Sequence, residues 1–235
     1  MNDLEFLLQN NPYPGRGIII GCSEDNSRIV VLYFIMGRSE NSRNRIFEKT
    51  PYGIRTKAYD PSKMTDPSLV IYNPVRISDK RLIVSNGDQT DTIFDHLSKG
   101  SNFFTALSTR EYEPDLPIFT PRISGLIEPD GSYKLSILKK ADNDSNCCLR
   151  SFFEYSVPVP GIGHFISVYQ TDGDPPPSFS GEPVTIKIDL SGGFLLFIKK
   201  VWNSMDYNNK VALYAKTLPL DGSEPEEIII NKLNN

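Results

Sequence analysis

The chain has 235 residues, of which 39% are hydrophobic and 23% charged, a composition typical of a globular domain long enough to bury a core. The 29 acidic residues outnumber the 25 Lys and Arg residues, and a net charge of −4 argues against a nucleic acid polymer as the partner. The longest apolar stretches, 29–36 and 194–198, are too short to span a membrane. Asp3 and Glu5 argue against a secretory signal peptide, so a cytoplasmic protein is predicted.

Few side chains suited to metal binding or nucleophilic catalysis are present. The only histidines are His96 and His164, which disfavours both a zinc site and a Ser-His-Asp triad. Cys147 and Cys148 are adjacent, and no Cys-x-x-Cys spacing occurs. We therefore predict no metal and no other cofactor, although a carboxylate-held metal stays open. Cys22 follows a strand and reads as a buried small side chain or, alternatively, as the nucleophile of an amide-bond hydrolase.

The first half of the chain is predicted to consist mainly of short strands. Runs of Ile and Val between turn residues are typical of buried strands. In chain order the predicted elements are a helical turn at 4–8, strands at 17–22, 28–36, 69–72 and 81–85, a tight turn at 86–87 and a helix at 91–99. The polar segment 37–50 is predicted to lie outside the core strands. Asn86 is expected in the left-handed conformation, and Thr90 or Asp91 is expected to cap the helix.

The second half continues the strand-rich pattern. The predicted elements are strands at 122–127, 133–138, 152–157, 165–170, 184–190, 211–217 and 227–230, and a long helix at 194–205. The segment Glu-Pro-Asp-Gly predicts a hairpin between the first two of these strands. Because strands and helices do not alternate, a doubly wound nucleotide-binding fold is disfavoured. The pattern predicts a single α+β domain over residues 1–235, with two packed sheets or a sandwich.

Arginine is concentrated in one part of the chain. The first 122 residues contain ten of the eleven arginines but only five of the fourteen lysines. Arginine is favoured where a planar, forked donor meets a phosphate or carboxylate. This bias predicts a small anionic ligand bound by the N-terminal half, with a drift in surface composition as the alternative.

Four polar segments are candidate ligand sites. Segment 37–45 supplies guanidinium, hydroxyl and amide donors suited to a phosphate, namely those of Arg38, Ser39, Asn44 and Arg45. Segment 72–76 offers a phenol and an amide that could grip a planar amide, from Tyr72 and Asn73. Segment 86–91 provides a helix start that could bind an anion, flanked by Asn86 and Asp91. Segment 110–122 contains Glu113, a candidate general base if it is buried. The alternative for segment 37–45 is a solvated loop, and that for segment 72–76 is a packed tyrosine. For segment 86–91 it is a helix cap, and for segment 110–122 an exposed carboxylate.

Five short segments, in order, resemble the archaeal-type IMP cyclohydrolase family. They are Gly15-Arg16, Arg38-Ser39 with Asn44-Arg45, Tyr72-Asn73 with Arg76, Asn86-Gly87 with Thr90-Asp91, and Thr120-Pro121-Arg122-Ile123. The resemblance covers residues 13–127. The loop around Arg38 is longer than in the archaeal enzymes, and the segment around Glu113 aligns only loosely with them.

The resemblance implies a fold, a reaction and a set of residues. The fold would be the four-layer αββα sandwich of N-terminal-nucleophile hydrolases. The activity would be that of a hydrolase acting on cyclic amidines, an IMP cyclohydrolase of purine biosynthesis, which closes 5-formamidoimidazole-4-carboxamide ribotide to IMP with loss of water. The implied substrate-binding residues are Arg16, Arg38, Ser39, Asn44, Arg45, Asn73 and Arg122, and the implied catalytic residues are Tyr72, Asn86, Asp91 and Glu113.

Two further expectations concern partners. The expected ligand is a purine ribonucleotide, with no membrane and no nucleic acid polymer as partner. Exposed strand edges in such a sandwich often pair between subunits, so a homo-oligomer is expected. A non-catalytic purine-nucleotide-binding protein of the same fold is the alternative function.

Overall fold

Two antiparallel sheets carry most of the chain in the computed structural model, which describes residues 2–141 and 144–234. In this described part, six strands form the first sheet: β1 Arg16–Cys22, β2 Arg28–Met36, β10 Ile162–Ser167, β11 Val184–Lys187, β12 Lys210–Pro219 and β13 Glu227–Asn231. Their order across the sheet is β11-β10-β1-β2-β12-β13, so β12 returns from late in the chain to pair with β2.

The second sheet is a meander in which each strand pairs with the next along the chain. Its strands are β3 Arg45–Thr50, β4 Gly53–Ala58, β5 Val75–Ser78, β6 Arg81–Ser85, β7 Arg122–Ile127, β8 Tyr133–Ala141 and β9 Asp144–Tyr155. The edge strands of this sheet are therefore β3 and β9.

Short helices connect and cover the sheets. They are α1 Leu4–Gln9, α2 Glu40–Arg43, α3 Gln89–Ser98, α4 Phe103–Ser108 and α5 Phe194–Ser204, with 3-10 turns at Pro61–Lys63 and Lys232–Asn234. Among the described residues, no helix combines the length and the apolar character needed to cross a membrane.

The side chains of β2 show how the core is arranged. Val31 and Tyr33 belong to the apolar cluster between the two sheets, whereas the alternate residues Leu32 and Phe34 belong to a cluster with α1 and α5. Successive side chains of a strand point to opposite faces, so a continuously apolar strand is one that is covered on both sides. A third cluster joins the second sheet to α3 and α4. The predicted α+β class with two packed sheets is confirmed.

Most predicted elements are confirmed, but two predictions in the first half are wrong. Segment 69–72 is a turn that leads into β5, because the Tyr72 backbone is bonded to Thr56 rather than to a strand ladder. Part of the polar segment 37–50 does form a strand, β3. An edge strand tolerates polar residues on its open side, while its inward residue Phe47 joins the core. The sequence patterns also missed β4, β5, α2 and α4.

The start of α3 also differs from the prediction. Asp88 is the N-cap residue, so Thr90 and Asp91 lie in the first turn rather than at the cap. Asn86 is not among the residues with positive φ, so its predicted left-handed conformation is wrong. The connection from β6 to α3 is held instead by hydrogen bonds from the Ser85 hydroxyl to the Gly87 carbonyl and from the Gln89 amide to Oδ1 of Asn86.

His164 links the two sheets and makes stability depend on pH. Its Nδ1 lies 2.6 Å from the hydroxyl of Tyr133, and its ring stacks on Tyr155 with centroids 3.8 Å apart. Burial lowers the pKa of His164 from 6.5 to about 4. His164 is therefore protonated below pH 6.5 in the unfolded chain but only below about pH 4 in the folded chain. The free energy of unfolding consequently falls as pH drops from 6.5 to about 4.

We expect this effect to cost about 1–2 kcal/mol between pH 7 and pH 4.5, since solvent screens the partly exposed ring. Urea unfolding at several pH values measures it. His164→Phe keeps the ring stack and should show a shallower decline in unfolding free energy over the same range. Equal declines in both proteins would contradict the assignment.

Candidate active site

A buried ion pair lies between the two sheets. The Nη2 atom of Arg16, at the start of β1, is 3.1 Å from Oε1 of Glu113, which lies in the loop after α4. Glu113 is only 2% exposed, and its backbone N–H donates to the carbonyl of Thr120 at 2.8 Å. Burial raises the pKa of Glu113, although the charges of Arg16 and Arg122 oppose this shift. A carboxyl group held in this way can exchange a proton closer to neutrality than an exposed one.

Two tyrosines border the same arginine. The hydroxyl groups of Tyr33, on β2, and Tyr72 are 2.8 Å apart in the interior. Burial opposes the charge on Arg16, but Glu113 first and then Tyr72 raise the pKa of its guanidinium, which therefore stays protonated. Burial raises the pKa of Tyr33 well above its ordinary value, so its hydroxyl stays protonated.

Arg45 is the first residue of β3 and is only 1% exposed. Its Nε donates to the carbonyl of Ser42 at 2.7 Å. Burial lowers the pKa of Arg45, with Tyr72 opposing the shift and Arg16 adding to it. Arg45 therefore belongs to the same electrostatic environment as Arg16 and Tyr72.

The neighbours of Arg45 shape the loop that precedes it. Ser39 caps α2 through a reciprocal capping box with Ser42. The side-chain amide of Asn44 donates to the carbonyl of Asp60 at 2.7 Å and accepts from the N–H of Asp60 at 2.8 Å. The side chains of Ser39 and Asn44 thus form local hydrogen bonds, and these bonds fix the segment from which the buried Arg45 follows.

Arg122, the first residue of β7, lies close enough to Glu113 for the two charges to interact. Its Nη1 donates to Asp88 at 2.7 Å and to Gln89 at 2.6 Å. A Cβ at position 87 would lie 2.5 Å from this Nη1, so a larger residue there would displace the Arg122 guanidinium from its present position. Burial lowers the pKa of Arg122, and the charges of Glu113 and Asp88 oppose the shift.

Asn86 is fully buried and tied to the chain around Arg122. Its Oδ1 accepts from the N–H of Ile123 at 2.8 Å and from Gln89 at 3.0 Å. Its Nδ2 donates to the carbonyl of Pro121 at 2.9 Å. These bonds fix the connection between β6 and α3 against β7.

Asn73 and Asp91 lie together in a second cluster. Nδ2 of Asn73 is 3.2 Å from Oδ2 of Asp91, and Nη1 of Arg76 is 2.8 Å from Oδ1. The guanidinium of Arg76 lies 3.4 Å from the ring centre of Phe94. Asp91 is ion-paired and partly exposed, an environment unlike the buried one of Glu113.

Arg38 lies at the rim rather than in the interior. Its Nη1 donates to Asp172 at 2.9 Å and to the carbonyl of Gly173 at 2.8 Å. Its guanidinium lies 4.5 Å from the ring centre of Tyr13, which in turn stacks on Tyr169. The hydroxyl of Tyr169 is 3.1 Å from Oγ1 of Thr120, so this stack borders the loop that holds Glu113.

The structure thus separates the predicted residues into groups. The interior group comprises Arg16, Arg45, Tyr72, Glu113 and Arg122. Asn73 and Asp91 form the neighbouring cluster, Arg38 lies at the rim, and Ser39, Asn44 and Asn86 make structural bonds. The sequence patterns missed Tyr33 and Tyr169. Tyr33 carried a signal, since it is the one polar side chain in the apolar run 29–36.

Three buried guanidinium groups retain an unused donor. Within residues 2–141 and 144–234, Arg16 Nε, Arg45 Nη1 and Arg122 Nε find no hydrogen-bond partner. An unsatisfied buried donor is costly, so these unused donors favour the binding of an anionic group near the three guanidinium groups. The same described residues contain no cluster of three or more His, Cys, Asp or Glu side chains placed to hold a metal ion.

Cys22 lies at the other end of β1 from Arg16. It is fully buried, and its thiol donates to Oδ1 of Asn26 at 3.0 Å. Burial raises the pKa of Cys22, which disfavours the reactive thiolate. The prediction of a buried small side chain is confirmed.

Comparison with known proteins gives one consistent family. A family model described as IMP cyclohydrolase-like protein matches residues 13–222. A protein named IMP cyclohydrolase from Methanothrix thermoacetophila is 34% identical over 119 residues, which cover 49% of this chain and 57% of that protein. One of the same name from Methanopyrus kandleri is 32% identical over 162 residues, 67% of this chain and 75% of that protein. One from Halobacterium salinarum is 30% identical over 131 residues, 54% and 63% of the two chains. The matched part therefore spans less than two thirds of the first and third of these relatives.

Proposed function

Because the chain belongs to the IMP cyclohydrolase-like family, we propose that it is an enzyme that closes 5-formamidoimidazole-4-carboxamide ribotide to IMP with loss of water. The substrate would be a purine ribonucleotide, and the reaction would belong to purine biosynthesis. The relatives named IMP cyclohydrolase support this activity, and the buried arginines support it independently.

The observation that carries the proposal is the set of unused guanidinium donors at Arg16, Arg45 and Arg122. A 5′-phosphate offers several acceptor oxygens and a charge that repays the burial of these groups. Arg16 is paired with Glu113, whereas Arg45 has no acidic partner among the described residues and donates from its Nε to the Ser42 carbonyl. We therefore assign the phosphate mainly to Arg45, and the reacting end of the substrate to the neighbourhood of Arg16 and Glu113.

The chemistry needs positioning, one proton acceptor and one donor. The carboxamide nitrogen attacks the formyl carbon, which closes the pyrimidine ring, and it loses a proton to the Glu113 carboxylate. Glu113 then gives this proton to the former formyl oxygen, which becomes a hydroxyl. That hydroxyl leaves as water with the hydrogen of the former formamide nitrogen, and a C=N bond forms between the former formyl carbon and this nitrogen. Arg16 and the hydroxyl of Tyr72 would stabilise the developing oxyanion. Holding the two reacting groups together supplies a large part of the rate.

The remaining predicted residues take supporting roles in this proposal. Asn86 fixes the loop that presents Arg122, and Ser39 and Asn44 fix the loop that presents Arg45. Asn73, which follows Tyr72 in the chain, donates to Asp91, and Arg38 donates to Asp172. In this proposal, Asp91 and Arg38 therefore support the site from its border and take neither the catalytic nor the main phosphate-binding role.

The decisive experiment follows conversion of the synthetic ribotide to IMP by absorbance with purified protein. Turnover that saturates with substrate supports the enzyme. Calorimetric binding of IMP without turnover would support the alternative, a non-catalytic purine-nucleotide-binding protein. The absence of both turnover and IMP binding would overturn the proposal.

We also propose that the chain is a single domain over residues 1–235 with the four-layer αββα arrangement of N-terminal-nucleophile hydrolases. The three apolar clusters support the layer order, since one lies between the sheets and one joins each sheet to its own helices. The free thiol groups of Cys22, Cys147 and Cys148 support a reducing compartment such as the cytoplasm.

We further propose a homo-oligomer formed through β9, the edge of the second sheet. This edge and the segment after it carry the exposed apolar side chains of Leu149, Val157 and Val159. Unpaired backbone groups beside exposed apolar side chains favour pairing with a second copy of the strand.

Light scattering during size-exclusion chromatography tests this assembly. The unmodified chain should elute as an oligomer, and the double variant Leu149→Lys with Val157→Lys should elute as a monomer. A monomeric unmodified chain would overturn the proposal.

A further inference from the structure

The side chain of Asn231 connects the two sheets at one edge. Asn231 is the last residue of β13 and is only 8% exposed. Its Oδ1 accepts from the backbone N–H of Phe47 at 2.7 Å, and its Nδ2 donates to the carbonyl of Phe47 at 3.0 Å. One amide thereby satisfies both backbone groups of a residue that lies 184 positions earlier in the chain.

Phe47 lies on the strand that presents Arg45. Among the described residues, β4 is the one strand that pairs with β3 in the second sheet, so the position of the outer edge of β3 depends on other contacts. Residues two apart on a strand share a face, which places Arg45 and Phe47 on the inner face of β3. The bonds from Asn231 therefore fix the position of β3 relative to the first sheet. They also fix the position of the Arg45 guanidinium, because Arg45 is on the same strand.

Other contacts along this edge are weaker. An ion pair joins Lys49 to Glu227, but the Lys49 side chain is mostly exposed. Exposed ion pairs contribute little to holding two elements together. Within the described part of the chain, Arg45 itself has only the Ser42 carbonyl as a hydrogen-bond partner, and its Nη1 is free. The Asn231 amide is thus a buried polar contact between β3 and the first sheet.

We propose that Asn231 is a positioning residue, which acts through β3 to aim Arg45 at the anionic group of the substrate. The inference rests on the proposed function, in which Arg45 binds the 5′-phosphate. It extends the site to the C-terminal segment, because Asn231 lies beyond residue 222, where the family match ends. A small displacement of a binding group is enough to weaken binding strongly, since directional bonds to phosphate lose strength with distance and angle.

The test compares Asn231→Ala with Thr217→Val in the full chain. Thr217 is also buried, and its Oγ1 accepts from the N–H of Glu226 at 2.8 Å, so its loss weakens the first sheet without touching β3. We expect Asn231→Ala to raise KM for the ribotide and Kd for IMP about tenfold with little change in kcat. Thr217→Val should lower the melting temperature about as much as Asn231→Ala does, but it should leave KM and Kd unchanged.

A double-mutant cycle separates positioning from a general loss of structure. In the Arg45→Met background, adding Asn231→Ala should weaken IMP binding less than about twofold, because the charged group that Asn231 positions is already gone. Asn231→Asp keeps the acceptor for the Phe47 N–H and loses the donor, so it should give an intermediate Kd and a folded protein if Asn231→Ala is unstable.

The possible results are distinguishable. A lower melting temperature with unchanged KM and Kd, or additive effects of the Arg45 and Asn231 substitutions, would overturn the positioning role and leave the proposed function intact. If the unmodified chain does not turn over the ribotide, the proposed enzyme fails, and the cycle is then read from IMP binding alone. Absence of IMP binding by the unmodified chain would overturn both.

Discussion

Arg45→Met should lower kcat/KM by about a thousandfold, mostly through KM, because it removes a charge-assisted contact to the substrate phosphate from a dry site. The same change should leave the melting temperature unchanged or raise it. In the free protein the Arg45 guanidinium is buried, burial lowers its pKa, and Nη1 finds no partner among the described residues. Replacing such a group by an apolar side chain of similar length removes an uncompensated cost.

The matched control for this prediction is Arg55→Met. Arg55 lies on the neighbouring strand β4, and its side chain is exposed and paired with Glu48. Its loss should change kcat/KM less than about twofold, since exposed ion pairs are screened by solvent. A lower kcat/KM with an unchanged or higher melting temperature in Arg45→Met would show that Arg45 serves binding rather than stability. If KM is unchanged in Arg45→Met, Arg45 does not bind the substrate phosphate and the assignment is wrong.

Glu113→Gln should lower kcat by about a hundredfold to ten-thousandfold, because the amide keeps the shape of the side chain but cannot accept the proton. KM should change little, since the phosphate contacts remain. Glu111→Gln, two residues earlier, is the matched control, because Glu111 is exposed and lies 3.9 Å from Arg150. A Glu113→Gln enzyme with full kcat would show that another group accepts the proton.

The pH profile gives a second measurement of the same role. Burial raises the pKa of Glu113 above its ordinary value of 4.5. The active form of a general base is deprotonated, so kcat/KM should rise with pH through this raised pKa and level off above it. The acid limb should therefore lie at higher pH than for an ordinary glutamate. In Glu113→Gln the residual activity should lose this limb.

The sequence was sufficient for much of the fold because both faces of the central strands are covered. Strands such as β1 and β2 appear as unbroken apolar runs, which are difficult to mistake. The prediction failed at β3 and at segment 69–72, where local composition and tertiary pairing disagree. A polar strand at a sheet edge and an apolar turn each contradict the average behaviour of their residues.

The site was only partly predictable, for a different physical reason. The arginine bias and short motifs led to Arg16, Arg45 and Arg122, but nothing local shows that Arg45 is buried while Arg38 is partly exposed at the rim. That difference arises from the strand geometry that follows α2. Likewise the bond between Asn231 and Phe47 depends on two distant segments meeting, and a single sequence carries no signal for such a contact.

The pairing of β2 with β12 bears on how the chain folds during synthesis. β2 is made early, yet its partner along one edge is Lys210–Pro219. Until that segment emerges from the ribosome, a long apolar strand keeps an open edge and lacks the α5 cover on its outer face. Open apolar edges aggregate, so slow translation or early termination before residue 210 should favour inclusion bodies. Recombinant production should gain from low temperature and from a chaperone that shields nascent chains.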